Sequence, residues 1–180
     1  MSKGPVINLR LCIACVIVGG SLLSCAHGHD GRVYVSGTIT DNTCTLSPDS
    51  ENIDVEMGAV SNRQFARAGD GANWQPFAIN LQNCGATASG VTVSFSGTAD
   101  SHYPDLLALT PGDGSATGVA IGIYDKDKTA IALGDESASQ AISSGQSSVH
   151  LQFYARYIAD GEAVVAGNAN ASATFVLAYE

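Results

Sequence analysis

The sequence closes on the stretch Ala171-Ser172-Ala173-Thr174-Phe175-Val176-Leu177-Ala178-Tyr179-Glu180, which decides the fold. Its apolar residues recur at every second position and so face one side of a β-sheet: Ala173, Phe175, Leu177 and Tyr179. A second alternating segment, residues 32–39, lies towards the other end of the chain. Strands at both ends leave sheet edges that must pair with something. We therefore expect strand pairing at these edges to carry the function.

The first 26 residues have the pattern of a secretory signal peptide. Lys3 and Arg10 accompany an apolar run of 13 residues, 11–23, which is too short for a transmembrane helix of about 20 residues. Small residues follow, and they predict cleavage between Ala26 and His27. Leu22-Leu23-Ser24-Cys25 also resembles a lipoprotein signal with Cys25 as the modified residue, an alternative that the sequence leaves open.

The remaining 154 residues suit one domain with a sizeable core. They hold all 17 acidic residues but only six of the eight basic ones, which gives a formal charge of −11. Nucleic acids and anionic membrane surfaces attract basic patches, so this charge argues against both as partners.

Two cysteines, Cys44 and Cys84, remain once the signal peptide is removed. In an oxidising compartment such a pair predicts a disulfide. Closing a loop of about 40 residues contributes roughly 4 kcal/mol in the chain-entropy model. A metal site or a reactive thiol pair is disfavoured, because no nearby Cys or His pair completes a ligand set.

Short apolar segments of period two, separated by turn residues such as Asp70-Gly71 and Asp160-Gly161, run through the whole mature chain. No segment has the pattern of an amphipathic helix. This organisation predicts an all-β sandwich. Besides the terminal segment and the region 33–45, the predicted strands are residues 52–57, 76–83, 91–96, 119–124, 129–133 and 148–159.

No catalytic or cofactor-binding motif stands out. Asp100-Ser101-His102 contains the residue types of a hydrolase triad, but neighbours in one segment cannot converge as a triad requires. His150 falls on the outward face of its predicted strand. We therefore predict no enzyme activity, no cofactor and no metal site. The one open question is the leader His27-Gly28-His29, whose amine, amides and imidazole could bind Cu(II).

Several motifs in order make the mature chain resemble the subunits of chaperone–usher fimbriae of Gram-negative bacteria, in particular the minor tip-adaptor subunits of type 1 and S-type fimbriae. A glycine fourteenth from the end, Gly167, and the penultimate Tyr179 match the C-terminal signature of that family. The other matching segments are Gly37-Thr38-Ile39-Thr40-Asp41-Asn42-Thr43-Cys44, Leu81-Gln82-Asn83-Cys84, Phe95-Ser96-Gly97-Thr98-Ala99-Asp100-Ser101-His102, Leu106-Leu107-Ala108-Leu109 and Phe153-Tyr154-Ala155-Arg156.

The resemblance implies an immunoglobulin-like sandwich that lacks its final strand, which leaves a hydrophobic groove beside the C-terminal strand. It implies that a periplasmic chaperone lends a strand to this groove, and that at the outer-membrane usher the N-terminal extension of the next subunit replaces it. The implied organisation is a signal peptide (1–26), a donor-strand extension (27–38) and a pilin domain (39–180). The chain would pass through the periplasm to the surface fimbrium and serve in bacterial adhesion.

The resemblance also assigns residues to both sides of this exchange. The implied donor row is Val33, Val35, Gly37 and Ile39. The implied groove, which also receives the chaperone, is lined by Gly167, Ala173, Phe175, Leu177 and Tyr179. Alternatives remain: a major rod subunit or a terminator of the same system, a complete sandwich in which both segments are ordinary strands, or a carbohydrate-binding adhesin that uses the loop Asn73-Trp74-Gln75.

Overall fold

A computed structural model describes residues 34–39 and 41–180 of the chain. The signal peptide, Cys25, the leader His27-Gly28-His29 and Val33 lie outside the described residues. Residues 39–180 form one compact unit. The boundaries of the signal peptide and of the N-terminal extension therefore stay predictions.

Eight strands follow one another along this unit. They are β1 (Thr45–Leu46), β2 (Gln75–Gln82), β3 (Gly90–Gly97), β4 (Val119–Tyr124), β5 (Ala130–Ile131), β6 (Gln140–Ala141), β7 (Ser148–Ala159) and β8 (Ala173–Tyr179). Two short 3-10 helices, Pro48–Ser50 and Asn62–Gln64, are the only helices among the described residues. Neither of them has the length or the apolar character needed to cross a bilayer.

The strands form two antiparallel sheets. The larger sheet has the order β1-β2-β7-β4-β5, with β7 at its centre. The smaller sheet has the order β6-β3-β8, so the C-terminal strand lies at an edge. Along β3 and β8 the register pairs Phe95 with Phe175 and Val93 with Leu177.

The core lies between the two sheets, because each strand turns its alternate apolar residues inward. Along β7 the inward row is fully buried: Val149, Leu151, Phe153, Ala155 and Tyr157. Three rings from both sheets meet at its centre. The ring of Phe153 stacks on Phe77 at 5.6 Å and meets Phe95 edge-on at 5.2 Å. The predicted all-β sandwich is confirmed.

The disulfide between Cys44 and Cys84 is confirmed, with an S–S distance of 2.06 Å. Cys44 directly precedes β1 and Cys84 follows β2, its antiparallel neighbour. The bridge therefore closes the end of the larger sheet at which the two strands pair.

Three details of the predicted strands were wrong. Residues 52–57 form no strand, and the first predicted strand is reduced to Thr45–Leu46. The short β6 was not predicted, since Gln140–Ala141 carries no alternating apolar pattern. In residues 52–57 the alternation itself is real, because Ile53, Val55 and Met57 are half-buried between exposed neighbours. What this segment lacks is a partner strand.

Candidate functional site: an apolar groove beside the C-terminal strand

The outer edge of β8 carries backbone groups that are free to pair. Glu180 N–H donates to Gly90 O on the β3 side, and backbone groups alternate in direction along a strand. The N–H and C=O groups of Ala173, Phe175, Leu177 and Tyr179 therefore point to the outer edge. No backbone hydrogen bond reaches them from any part of the chain that the structure describes.

An open cavity of about 1020 Å³ lies beside this edge. Its floor consists of apolar side chains from both sheets, and its rim consists of the segments 51–60 and 164–173. The floor residues are Phe77, Phe95, Val119, Ile121, Ile123, Ala155, Tyr157 and Phe175. We call this cavity the β8 groove. A solvent-open channel with an apolar floor is the site at which an extended segment can add to a sheet.

The far wall of the β8 groove is the extended segment 51–60. Its residues Ile53, Val55 and Met57 turn towards the groove, while Glu51, Asp54 and Glu56 are exposed. The backbone of residues 52–60 makes no hydrogen bond to backbone elsewhere in the described residues. Both walls of the groove thus present backbone without a ladder partner.

The predicted groove residues divide into two groups along the chain. Gly167, Ala173 and Phe175 line the β8 groove. Leu177 and Tyr179 lie further along the same strand, where both pack against the main core. The Tyr179 hydroxyl donates to the backbone oxygen of Cys44 at 3.1 Å. The Tyr179 side chain therefore contacts the disulfide region, whereas the side chains of Ala173 and Phe175 line the open groove.

Two tyrosines, Tyr157 and Tyr179, donate their hydroxyl groups to backbone oxygens near the groove. Tyr157 donates its hydroxyl to the backbone oxygen of Ala169 at 2.7 Å, which holds the rim segment against the floor. Burial raises the pKa of Tyr157 above its ordinary value of 10.0. Burial also raises the pKa of Tyr179, although its bond to the Cys44 carbonyl works in the opposite direction.

Gly167 has a steric role in the rim. A Cβ at this position would lie 2.5 Å from the backbone of Gly114, Ser115 and Ala116. Only glycine permits this close approach of the two backbones. The rim segment therefore follows the 114–116 loop closely, and Asn168 accepts a hydrogen bond from Ala116 N–H.

The predicted donor residues are exposed wherever the structure describes them. Val35 is 91% exposed and Ile39 is fully exposed, and a Cβ on Gly37 would meet no atom within 4 Å. These apolar side chains are uncovered in the chain alone.

The sequence-based prediction of the site missed the far wall and most of the floor. Ile53, Val55 and Met57 alternate in the sequence, but they were assigned to an ordinary strand. Ile121 and Tyr157 fall in the alternating apolar rows of the predicted strands 119–124 and 148–159, and nothing in their local pattern shows that they border an open channel. The alternation of Ile53, Val55 and Met57 could have indicated the far wall from the sequence. The floor could not be identified in this way, because it depends on how distant strands pack together.

The chain shows no assembled catalytic triad within the described residues. Asp100 accepts hydrogen bonds from the backbone N–H of His102 and Tyr103, so its carboxylate does not orient the His102 ring. Ser101 Oγ lies 3.3 Å from His102 Nδ1. His150 is exposed, as predicted, and bonds Asn80 at 2.7 Å.

Trp74 is not a free stacking platform. Its ring meets Tyr124 edge-on at 4.6 Å, and the guanidinium of Arg156 lies 4.5 Å from the ring centroid. The Lys128 ammonium lies at 5.1 Å. A sugar that stacked on this indole would have to displace cation–π contacts. The adhesin alternative therefore loses the residue on which it rested.

Comparison with known proteins agrees with this geometry. The family model described as "Fimbrial protein" matches residues 33–180. The fimbrial-like protein YcbV of Escherichia coli K12 is 42% identical over 84% of this chain and 87% of its own length. The probable major fimbrial subunit LpfA of Escherichia coli O157:H7 is 38% identical over 93% of both chains.

The fold is similar to that of a chain in a solved structure of a chaperone–usher pilus. The TM-score is 0.63 at 26% sequence identity, and the match covers 83% of this chain and 95% of the other. The family-model match runs from residue 33 to residue 180. The chain belongs to the fimbrial protein family, whose members are structural subunits of pili and not enzymes.

Proposed function

We propose that this chain is a fibre subunit that accepts a β-strand from another polypeptide in the β8 groove and donates its own residues 33–39 to the next subunit. The observation that carries the proposal is the open groove itself, which has unpaired backbone on both walls and an apolar floor. An added strand would supply hydrogen bonds to the outer edge of β8 and cover the floor at the same time.

The geometry of β8 favours an added strand over a globular ligand. Ala173 and Phe175 direct their side chains inward and their backbone groups outward, so one extended segment can satisfy both requirements. An unpaired edge above an exposed apolar floor is a liability for an isolated protein. We infer that the folded chain escapes aggregation in the cell only while this edge is occupied.

The donor segment matches the groove in period and chemistry. Val33, Val35 and Ile39 share one face, with Gly37 in the same row. Burying each of these aliphatic side chains contributes roughly 1.5–3 kcal/mol before any ladder hydrogen bonds form. Because Val35 and Ile39 are exposed in the chain alone, this free energy is available to association.

The partners follow from the same scheme. A periplasmic chaperone would fill the β8 groove first, and a neighbouring subunit would replace the chaperone's strand at an outer-membrane usher. The finished fibre would stand on the cell surface. We retain a minor tip-adaptor role because of the segment Phe95–His102, while the likeness to a probable major subunit supports the rod alternative.

A pair of adjacent substitutions tests the donor assignment. Val35→Asp should abolish dissociation-resistant pairs between subunits, because it introduces a charge on the face that enters the groove. Ser36→Asp, one residue further and on the opposite face, should leave those pairs intact. Equal loss of pairing in both variants, measured by gel electrophoresis without heating, would refute the assignment.

A second pair tests the acceptor side. Ala173→Arg should block strand insertion, since Ala173 lines the β8 groove. Thr174→Arg, on the opposite face of β8, serves as the control. Co-purification with the chaperone should fail only for Ala173→Arg, and retention of the chaperone by that variant would contradict the proposal.

Immunogold labelling of surface fibres separates the two roles within the fibre. One label near the free end of each fibre is expected for the tip adaptor. Labels along the whole length would identify a rod subunit.

A further inference from the structure

Two loops from different sheets meet beyond the groove. One follows β3 and contains Asp100 and His102, and the other follows β7 and contains Asp160 and Glu162. Potential ligand atoms of Asp100, His102 and Asp160 all lie within 4.8 Å of one another. The Glu162 Oε1 atom lies 3.4 Å from His102 Nε2. Two aspartate carboxylates and one imidazole thus converge, and the Glu162 carboxylate lies beside the imidazole.

Each loop fixes its own carboxylate through one oxygen. Asp100 Oδ1 accepts the N–H groups of His102 and Tyr103, at 2.9 and 3.0 Å. Asp160 Oδ1 accepts the N–H of Glu162 at 2.8 Å. In both residues Oδ2 receives no hydrogen bond from the described residues, so one oxygen of each carboxylate is left for a ligand.

The charge of this cluster is not compensated. Asp160 is only 8% exposed, and its Oδ1 is satisfied by the Glu162 N–H. Within the described residues the only buried side-chain polar atom without a partner is Arg156 Nε, so Asp160 Oδ2 reaches solvent, where a cation can approach it. Across residues 34–39 and 41–180, no lysine or arginine forms an ion pair with Asp100, Asp160 or Glu162. The only possible compensation is the contact of His102 with Glu162, which balances at most one of three negative charges.

We propose that Asp100, His102 and Asp160, with Glu162 beside them, bind a divalent first-row transition metal such as Zn²⁺. One imidazole nitrogen and two or three carboxylate oxygens form a mixed donor set that suits Zn²⁺ and Mn²⁺ better than Mg²⁺ or Ca²⁺. Metal–ligand bonds of about 2.0–2.2 Å bring ligand atoms closer together than 4.8 Å. His102 is exposed, so its ring can rotate towards the two aspartates.

The bound ion would join the loop after β3 to the loop after β7. It would therefore link the smaller sheet to the larger one. The one disulfide in the described residues, Cys44–Cys84, makes no such link, because its cysteines flank β1 and β2 of the larger sheet. We expect the metal to raise the thermal unfolding midpoint, because it binds the folded arrangement of two loops that separate on unfolding. This role does not depend on strand exchange.

Calorimetric titration with ZnCl₂ tests the site on the exported protein. All variants are made in a His27→Ala/His29→Ala background, so that the leader histidines cannot contribute. We expect one Zn²⁺ per chain, with affinity at least about tenfold weaker in His102→Gln and in Asp160→Asn. The control is His150→Gln, which alters an exposed histidine outside the cluster and should bind Zn²⁺ unchanged.

Asp160 is buried and its replacement can disturb folding, so the exposed His102 provides the decisive variant. Unaltered Zn²⁺ affinity in His102→Gln would overturn the proposal. So would the absence of binding in the background protein, or a thermal midpoint that Zn²⁺ does not raise.

Discussion

Strands β7 and β8 have the same alternating sequence pattern but very different surroundings. The inward residues of β7 are all buried, because β2 pairs with residues 148–155, β4 pairs with residues 154–159 and the smaller sheet covers the inner face. In the inward row of β8, Ala173 is exposed and the other three residues are only half-buried, because β3 is the single neighbour of this strand. The apolar row is thus fully buried in β7 and only partly buried in β8.

The difference shows that burial is decided by what covers the inner face of a strand, and not by the apolar content of the strand. Phe153 in β7 is 4% exposed, whereas Phe175 in β8 faces the open groove. In one strand the stabilisation is already realised within the chain. In the other, according to our proposal, it is reserved for association.

The largest expected effect is a difference in the free energy of unfolding between variants of Phe153 and Phe175. Phe153→Ala should lower the free energy of unfolding by about 3–5 kcal/mol, since it leaves a cavity at the centre of the core. Phe175→Ala should lower it by only about 1–2 kcal/mol, because less area is buried. Guanidinium denaturation of the exported protein measures both, and equal losses would contradict the distinction between the two strands.

A smaller effect is expected in the rim of the groove. Gly167→Ala should cost about 1–3 kcal/mol, because the added Cβ overlaps the backbone of residues 114–116. Gly112→Ala is the matched control, since its Cβ would make only an ordinary contact at 3.5 Å. If the Gly167→Ala protein kept its stability and its strand binding, the rim would have to move to accommodate the added Cβ, and the steric role of Gly167 would be refuted.

The contact between β8 and the disulfide region is tested by removing the Tyr179 hydroxyl. Tyr179→Phe should cost about 1 kcal/mol, the net worth of the hydrogen bond to the Cys44 carbonyl. Tyr103→Phe is the control, because Tyr103 is 42% exposed and its hydroxyl makes no hydrogen bond in the described part of the chain. If both variants lose equal stability, the bond contributes nothing specific.

The smallest effect is a dependence on alkaline pH. The pKa values of Tyr157 and Tyr179 are raised above 10.0 in the folded chain, so the unfolded chain loses these protons first. Their contribution to stability is complete below pH 10 and is lost as the pH rises through the folded pKa values. Denaturation curves from about pH 9 to about pH 11 should show a shallower decline for Tyr179→Phe than for the unmodified protein.

Much of the fold could be predicted from the sequence. The alternation in residues 148–159 and 119–124 gave the bounds of β7 and β4 as the structure has them, because both strands are paired along their whole length. The segment 52–57 alternates equally well, yet it forms no strand. Local pattern reports which residues face inward, but a ladder requires a neighbour, and here the neighbouring position is the open groove.

The candidate site was predicted only in outline. Residues of the terminal strand were identified by their period of two and by the family resemblance. The floor residues Ile121 and Tyr157 were not assigned to the groove, because nothing adjacent to them in the chain distinguishes a covered face from an open one. Asp100 and Asp160 are sixty positions apart, and only the loops that follow β3 and β7 bring them together.

By itself the sequence determined the cysteine pair, most of the β-strands and the inward face of each of them, since these depend on neighbours along the chain; the export signal stays a prediction. The tertiary structure alone decided which strand is left at an edge, which walls enclose the β8 groove and which distant carboxylates meet. The physical reason is that side-chain period is a local property, whereas an unpaired edge is defined by the absence of a strand that could come from anywhere in the chain or from another molecule.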